Sequence, residues 1–499
     1  QETCVFKTSV DWRVCPPMGK PKKDGATAGC HIPKVEHRGL SLAQMPDSTL
    51  SVNEFIKEHV LISSVSRPCS YVELIASGPQ VPTWYLSHTW SLGLPTLTKT
   101  VREHARLRGL SVNSTCFWDV AFAINWHNAS KDLEMTKSAQ DSVLHRAVSQ
   151  TQGLLMIMPQ AGGIGTAPAE EAEAYFRTAW CCYEAYMAIS SIQPVDIGTT
   201  VTGVPVVVLE GFSCDENAAS EEGDGPRLSL QAKEARERAF PLQLLKAGLS
   251  ADIRDGGKRG PEVGASTEEW VCPISAYPQQ KWILNSVGRT GALDSDPPPD
   301  SVHYHDLNQQ LHVRFAELSW RRAITTKDKG LTSQIESAIK ACSGLGSLSM
   351  NFRFLRDMAQ DSQVTSLITS ICGMREVRSL LLDLCYCNIS ADSFMKLRYT
   401  LLFKHLQKFV LHIGPVKGEL SLKQLRLLDN VTDLSVYSQT VSGVFPDLIP
   451  LRQMKSLRMS KCSWKVAQTL EEAKVGELQQ LEVLCFRSCA FAGELVHLK

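Results

Sequence analysis

The sequence predicts an α/β fold with a parallel sheet, followed by a helical connector and a solenoid of short repeats. Three observations support this prediction. In the first half of the chain, short apolar runs alternate with amphipathic helical segments. Two stretches that cannot form core elements then flank a mostly helical region. In the last third, one apolar spacing recurs six times.

Composition limits the class of protein. The chain has 499 residues, 43% of them hydrophobic, which suits about three globular domains. The net charge is +0 and the basic cluster Lys20 to Lys23 is short, so we expect no nucleic-acid partner. No apolar run is long enough to cross a membrane, and residues 1–23 lack the apolar core of a secretory signal. The 16 cysteines are scattered through apolar runs without paired CxxC motifs, which favours reduced thiols in the cytoplasm and no metal site.

The α/β domain is predicted to span residues 81–212, after an N-terminal extension, residues 1–80, that we expect to be partly disordered. The predicted strands are Thr83 to Ser87, an alternating run from Cys116 to Trp126, Gly153 to Met158, and Val204 to Leu209. The predicted helices are Thr96 to Leu107, Ser138 to Gln150, and Glu170 to Ile192. This alternation predicts right-handed crossovers and a parallel sheet.

Residues 213–340 are predicted to contain linkers and a helical connector. Ser213 to Arg227 is acidic and lacks large apolar residues, and Ser286 to His303 contains three consecutive prolines, which favour an extended spacer. Between and after them, three segments have helical spacing: Leu228 to Leu249, broken at Pro241, then Trp282 to Val287, and Leu307 to Ala323.

Residues 341–499 repeat the pattern L-x-x-L-x-L with conservative exchanges. Its six copies are Leu345/Leu348/Met350, Val377/Leu380/Leu382, Leu406/Phe409/Leu411, Val431/Leu434/Val436, Met454/Leu457/Met459 and Leu481/Leu484/Phe486. Cysteines follow three copies at the position where leucine-rich repeats take Asn or Cys: Cys385, Cys462 and Cys489. The alternative is a set of unrelated amphipathic helices. A repeat array predicts a protein partner, bound through outward positions such as Lys408, Tyr437 and Arg458.

One carboxylate is a candidate functional group. The segment Arg177 to Gln193 has a single charged residue after its first turn, Glu184, in otherwise apolar, aromatic or small surroundings. A buried lone carboxylate is costly unless it is paired, protonated or lining a cavity, so such a group marks a candidate site. The alternative is that Glu184 lies on the solvated stripe of its helix.

The region from Val81 to Gly211 resembles a TIR (Toll/interleukin-1 receptor) domain. The resemblance lies in four segments: WYLSHTW, AQDSVLHRAVSQTQGLLMIM, FRTAWCCYEAYMAI with its Trp-Cys-x-x-Glu motif, and VPVVVLEG. A narrower similarity is to TIR-like units of uncharacterised algal proteins that carry various repeats. The resemblance implies a flavodoxin-like sheet. It also implies either self-association in signalling or NAD⁺ glycohydrolysis, with Glu184 at the position of the catalytic carboxylate.

Further residues are candidates for binding NAD⁺ as a substrate, and no bound cofactor is expected. Ligands of open parallel sheets bind beyond the carboxyl ends of the strands, which indicates Ser87, His88 and Trp90. Trp90 could instead pack in the core. Along the alternating run, Asp119, Asn125 and His127 share one face if the strand continues, although His127 alone suits a hydrogen-bonded loop. A glycine-rich loop with Gly162, Gly163 and Gly165 suits either phosphate binding or simple flexibility.

Three functions follow from these patterns. The first is a cytoplasmic signalling or recognition protein, which binds a protein partner through its repeats and self-associates through the α/β domain. The second is an NAD⁺ glycohydrolase that uses Glu184. We rank it below recognition because the loops SHTW-SLGLP and AFAINWHN differ from the TIR pattern. The third is a thiol enzyme using Cys181 or Cys182, and their place inside a helix among aromatic residues disfavours it.

Overall fold

A six-stranded sheet forms the centre of the first half of the chain. The computed structural model describes residues 29–254 and 277–341, except 113, 135–137, 160–173, 192, 219–224, 294 and 327; beyond 346 it describes mainly strands. The strands of this sheet are β1 (Leu40–Ser41), β2 (Trp84–His88), β3 (Cys116–Asp119), β4 (Leu154–Ile157), β5 (Val195–Val201) and β6 (Val204–Val208). Their order is β1-β3-β2-β4-β5-β6.

The four central strands are parallel, as the sequence predicts. β2 pairs with β3 on one side and β4 on the other, and β4 pairs with β5. The outer strands β1 and β6 are antiparallel to their neighbours. The expected parallel strand at Val204 to Leu209 is therefore wrong in direction. It forms a hairpin with β5 through Thr202 and Gly203, both at positive φ (48° and 80°), as a two-residue turn requires.

The alternating run is a short strand, in contrast to the prediction. β3 ends at Asp119, whose Oδ1 accepts the Ala121 N–H at 2.9 Å and caps a helical turn. The 3-10 helices are Val35–His37, Leu42–Gln44, Trp126–Asn128 and Ala139–Asp141. The helices up to residue 190 are α1 (Val52–Phe55), continued by the π-helical turn Ile56–Val60 into α2 (Leu61–Ser63), α3 (Tyr71–Ile75), α4 (Leu94–Arg108), α5 (Val120–Ala123), α6 (Ala129–Asp132), α7 (Val143–Gln150) and α8 (Ala179–Ser190).

Residues 29–80 pack against the sheet, although the sequence suggests an extension. β1 pairs with β3, and the Trp118 indole donates to the carbonyl of Val35 at 3.0 Å. Arg38 is buried, where it bonds the carbonyl of Ala123 at 3.0 Å and the carboxylate of Asp132 at 2.6 Å. This segment is therefore part of the same core as the α/β domain.

The predicted connector is helical and docked on the α/β domain. Its helices are α9 (Cys214–Ala218), α10 (Gly225–Ala239), α11 (Leu242–Leu249), α12 (Tyr277–Gly288), α13 (Val302–Thr326) and α14 (Lys329–Ala341). α12 and α13 both pack against α8. Ring contacts join the two parts: Trp180 to Trp282 at 6.1 Å and Phe176 to Phe315 at 5.2 Å between centroids. The chain between α12 and α13 is also held, since the Asn285 amide donates to the carbonyls of Leu293 and Ser295.

The repeat region forms an all-parallel sheet. Its strands are β7 (Ser347–Asn351), β8 (Ser379–Cys385), β9 (Lys408–Gly414), β11 (Asp433–Tyr437), β13 (Ser456–Ser460) and β15 (Val483–Arg487), and each pairs with the next. A second parallel sheet contains β10 (Leu420–Ser421), β12 (Thr440–Ser442) and β14 (Ser463–Trp464).

The apolar pattern faces the core of this sheet. Among the residues whose side chains are described, its buried members are Val377, Leu380, Leu382, Phe409, Leu411, Val431, Leu434, Val436, Met454, Leu457 and Met459. Four of the five neighbouring pairs of copies match position by position, but between the third and fourth copies Leu411 pairs with Leu434 rather than Val436. The alignment of the repeated pattern is therefore shifted by two residues between β9 and β11. Because side chains alternate with a period of two, this shift leaves Leu411 and Ile413 of β9 on the same buried face as Leu434 and Val436 of β11.

Two predictions about the chemistry of the chain can be compared with the structure. The cysteines whose side chains are described are all free. Among the described helices, none combines the length and apolarity needed to cross a bilayer.

Candidate functional site

Glu184 is buried at the carboxyl end of a central strand. It lies on α8, and its side chain is 1% exposed, so the solvated-stripe alternative is excluded. The helix packs over β2, β4 and β5. The carboxylate bonds to β2 at Ser87, near the end of that strand. β2 is the strand at which the order reverses, with β3 on one side and β4 on the other. Parallel sheets of this kind bind ligands at such a point.

Three side chains donate hydrogen bonds to this carboxylate. The Tyr85 hydroxyl and the Trp180 indole N–H donate to Oε1 at 2.6 and 2.7 Å. Ser87 donates to Oε2 at 2.5 Å, and the Tyr175 hydroxyl lies 2.5 Å from the Ser87 hydroxyl. Because Ser87 gives its proton to the carboxylate, Tyr175 must donate to Ser87. We call Tyr85, Ser87, Tyr175, Trp180 and Glu184 the carboxylate cluster.

Burial sets the charge properties of the carboxylate cluster. It raises the pKa of Glu184 to about 7, and the hydrogen bonds from Ser87 and Tyr85 with the nearby His88 limit the rise. Burial and the Glu184 charge also raise the pKa of Tyr85 and of the Cys181 thiol well above their usual values. Neither Tyr85 nor Cys181 therefore ionises near neutral pH, which further disfavours a thiol mechanism. Glu184 is the group of this cluster that exchanges a proton near pH 7.

His88 and Asp119 form a second buried group beside the first. Successive strand residues point to opposite faces, so His88 points away from the face of Ser87. Its Nε2 lies 2.9 Å from Oδ2 of Asp119, on the neighbouring strand β3. The Cys181 thiol reaches back to the carbonyl of His88 at 3.5 Å. The sequence-predicted residues Ser87, His88, Asp119 and Glu184 therefore lie together, on two faces of one strand end.

Trp90 and His127 have other contacts. The Trp90 ring packs edge-on against Trp126 with centroids 4.9 Å apart, and both are buried, which corresponds to the core-packing alternative. His127 is exposed, and its Nε2 lies 2.8 Å from the Ser64 hydroxyl, as expected of a hydrogen-bonded loop histidine. Since β3 ends at Asp119, the expected common face of Asp119, Asn125 and His127 is wrong. Instead, the Asn125 side chain caps the turn at His127.

The sequence analysis missed three members of the carboxylate cluster. Tyr85 shares the parity of Ser87 along β2, and Trp180 precedes Glu184 by one helical turn, so both could have been found from periodicity. Tyr175 lies outside α8, and no pattern in the sequence places it at Ser87. The glycine-rich loop with Gly162, Gly163 and Gly165 lies outside the described residues, as does Cys489.

The sheet of the repeat region supplies a second candidate site. Lys408 and Arg458 are exposed on its strands, as predicted; the side chains of Tyr437 and Cys385 are outside the described part. Cys462 is buried, and its thiol lies 3.5 Å from the carbonyl oxygens of both Val436 and Ser460, so its single hydrogen can be donated to either. Within the described residues, no group of three His, Cys, Asp or Glu side chains is arranged to hold a metal ion.

Comparisons with known proteins add little to this geometry. No family model matches the chain, and no curated protein matches it. A solved structure, internalin C2 from Listeria monocytogenes, is 12% identical and covers 34% of this chain and 85% of its own, with a TM-score of 0.20. A TM-score this low does not establish a shared fold.

Proposed function

We propose that this chain is a recognition protein that binds a protein partner through the outward face of its six-stranded parallel sheet. The observation that supports this is the arrangement of consecutive strands in sequence order, with apolar residues inward and residues such as Lys408 and Arg458 exposed. Stacked repeats of this kind form extended binding surfaces, as a leucine-rich-repeat solenoid does.

The test is a charge reversal on this face. We expect Lys408→Glu with Arg458→Glu to lose a cross-linked partner that the unmodified protein retains. The matched control reverses two exposed basic residues of the first region, Lys57→Glu and Arg102→Glu, and should retain the partner. An unchanged set of partners in the first variant would remove this face as the binding surface.

We also propose that the α/β region is a TIR-like signalling unit that acts in the cytoplasm. Its parallel strands have the order β3-β2-β4-β5, which corresponds to the first four strands of a flavodoxin-like sheet. The Trp-Cys-x-x-Glu motif supplies two members of the carboxylate cluster, Trp180 and Glu184. This proposal expects the full chain to form oligomers as its concentration rises, measured by sedimentation velocity. A strict monomer at every concentration would contradict it.

NAD⁺ glycohydrolysis by Glu184 is the second candidate function. It is favoured by a hydrogen-bonded carboxylate with a pKa near 7 at the point of strand reversal. Cleavage of the nicotinamide–ribose bond develops positive charge on the ribose, and a neighbouring carboxylate stabilises it. Because Glu184 is 1% exposed, substrate must first gain access to it.

The assay follows nicotinamide release from NAD⁺ at high protein concentration. Release by the unmodified chain and its loss in Glu184→Gln would support the enzyme. Glu54→Gln is the control, because Glu54 is an exposed carboxylate that does not belong to the carboxylate cluster. No release under these conditions would leave recognition as the function of the chain.

A further inference from the structure

His88 is buried at the end of β2, where it contacts β3 and α8. Its side chain is 2% exposed, and that of Asp119 is 0% exposed. His88 closes β2, Asp119 closes β3, and the Cys181 thiol on α8 contacts the backbone of His88. Three elements thus meet at this histidine.

Both ring nitrogens of His88 are engaged. Nδ1 lies 3.0 Å from the carbonyl of Thr89, and a carbonyl can only accept, so Nδ1 carries a hydrogen. Nε2 lies 2.9 Å from Oδ2 of Asp119. If Asp119 is a carboxylate, Nε2 must carry a hydrogen as well, and the ring is an imidazolium.

The contacts of Asp119 identify it as the acceptor. Its Oδ1 accepts the Ala121 N–H at 2.9 Å, and its Oδ2 faces His88. Oδ1 is therefore an acceptor. The hydrogen between Oδ2 and Nε2 lies on the imidazole, because an imidazole is a stronger base than a carboxylate, so the contact joins an imidazolium to a carboxylate. A buried carboxylate with a buried imidazolium forms a net neutral pair, and removal of either partner would leave an uncompensated charge.

The charged and titratable groups around His88 come from every element packed on it. They are Asp119 at the end of β3, and Glu184 and Cys181 on α8. Burial lowers the pKa of His88, but the charge and hydrogen bond of Asp119, the hydrogen bond to the Thr89 carbonyl and the charge of Glu184 together raise it by more. In return, the charge on His88 lowers the pKa of Glu184 and counteracts part of the effect of burial.

We propose that His88 and Asp119 form a fixed buried ion pair whose imidazolium favours the ionised form of Glu184. His88 is then a positioning residue, which acts through Glu184. It has no free ring nitrogen with which to bind a nucleotide or transfer a proton. This inference rests on Glu184 being the functional carboxylate of the second candidate function, but its test measures ionisation rather than activity.

The first experiment uses the unmodified chain with ¹⁵N-labelled histidine. NMR shifts of the ring nitrogens distinguish an imidazolium from either neutral tautomer. We expect one buried histidine to stay doubly protonated to a higher pH than the exposed histidines of the chain, since its pKa is raised. Its signal should disappear in His88→Gln and convert to a neutral form in Asp119→Asn, which gives two independent assignments. A neutral His88 at pH 7 in the unmodified chain would overturn the ion pair.

The second experiment measures Glu184 itself. With ¹³C-labelled glutamate, the infrared difference between the unmodified chain and Glu184→Gln gives the pH at which this carboxyl group loses its proton. We expect His88→Gln to raise that midpoint by about one pH unit.

The control for this measurement is His104→Gln. It removes a histidine of another fully buried pair, with Asp196 at 2.8 Å, and should leave the Glu184 midpoint unchanged. A midpoint that His88→Gln does not move, or that both variants move equally, would overturn the proposed role. If His88→Gln abolished nicotinamide release without moving the Glu184 midpoint, the proposed role of His88 would also be overturned. If the unmodified chain released no nicotinamide but His88→Gln still moved the midpoint, only the proposed enzyme activity would be contradicted.

Discussion

Replacement of Glu184 by glutamine should stabilise the protein at neutral and alkaline pH. Burial raises the pKa of Glu184 to about 7 in the folded chain, from its usual 4.5. As the pH rises from 4.5 to 7, the unfolded chain releases this proton while the folded chain keeps it. The unfolded state then binds fewer protons, so the free energy of unfolding falls across this interval. Below pH 4.5 the penalty is absent, and above pH 7 it is complete.

The magnitude follows from the two pKa values. Each pKa unit corresponds to about 1.4 kcal/mol, so a rise from 4.5 to about 7 costs about 3 kcal/mol of stability above pH 7. Glutamine does not titrate and avoids this cost. Its carbonyl oxygen can accept from Tyr85 and Trp180, and its amide can donate to Ser87. The bond between Ser87 and Tyr175 then reverses, which a pair of hydroxyl groups allows.

The assay is urea denaturation of the unmodified chain and Glu184→Gln at several pH values. We expect nearly equal free energies of unfolding at pH 4.5. At pH 8 the variant should be more stable by about 3 kcal/mol, with the difference developing between these values.

Glu73 provides a control of opposite sign. It is also buried, but hydrogen bonds from the backbone of Ile32 and Ser70 and the charge of Arg38 outweigh burial and lower its pKa. Glu73→Gln should therefore destabilise the protein above pH 4.5, and the loss should diminish as the pH falls below that value. If Glu184→Gln behaves as Glu73→Gln does, the assignment of a raised pKa to Glu184 is refuted.

Three further variants test packing, each by thermal and urea denaturation. Gly153→Ala places a Cβ 2.8 Å from a backbone carbonyl and should cost about 1–3 kcal/mol, whereas Gly78→Ala meets nothing within 4 Å and should be neutral; equal losses would contradict the close approach. Leu457→Ala should lower the free energy of unfolding by about 2–5 kcal/mol, because Leu457 is buried. Arg458→Ala should change it by less than about 0.5 kcal/mol, because Arg458 is exposed. A larger loss in Arg458→Ala than in Leu457→Ala would contradict the inward and outward faces assigned to this strand. Trp282→Ala should cost about 3–5 kcal/mol and speed hydrogen exchange in α8; unchanged exchange there would contradict docking of the connector.

The sequence predicts the parts of the fold whose cores are apolar. β2 and β4 are short apolar runs, and the leucine ladder of the repeats fixes strand spacing within a few residues. β5 could not be predicted in this way, because one of its faces carries Asp196, Gly198 and Thr200 rather than apolar residues. Asp196 is buried only because His104 and Arg108 on α4 pair with it, and Gly198 leaves room for Thr100. These partners are about 90 residues away in sequence, and no local pattern reports them.

In the candidate site, too, the residues that local sequence patterns indicate were predicted, and those that depend on distant contacts were not. Glu184 was predicted because a lone charge in an apolar helix is a local anomaly, and Ser87 because strand ends of a parallel sheet converge. The hydrogen bond from Tyr175 to Ser87 depends on the path of the chain just before α8, and sequence periodicity does not predict that path. The turn at Asp119 likewise required knowledge of a side-chain cap. Alternating positions share a face only while the strand continues, so the prediction failed for Asn125 and His127, which lie beyond the end of β3.

The cost of Glu184 also bears on what the carboxylate cluster is for. Packing alone does not require a charge at this position, because a glutamine satisfies Tyr85, Trp180 and Ser87 without the penalty above pH 7. A carboxylate that lowers stability by about 3 kcal/mol at neutral pH, yet accepts hydrogen bonds from three donors that favour its ionised form, is organised for its charge. Structural pairs in the same protein behave differently: the hydrogen bonds and charges of His104 and Arg108 lower the pKa of Asp196 despite burial, so that pair adds stability at neutral pH. This contrast between two buried carboxylates of one domain is the physical reason to expect chemistry or ligand recognition at Glu184 rather than at Asp196.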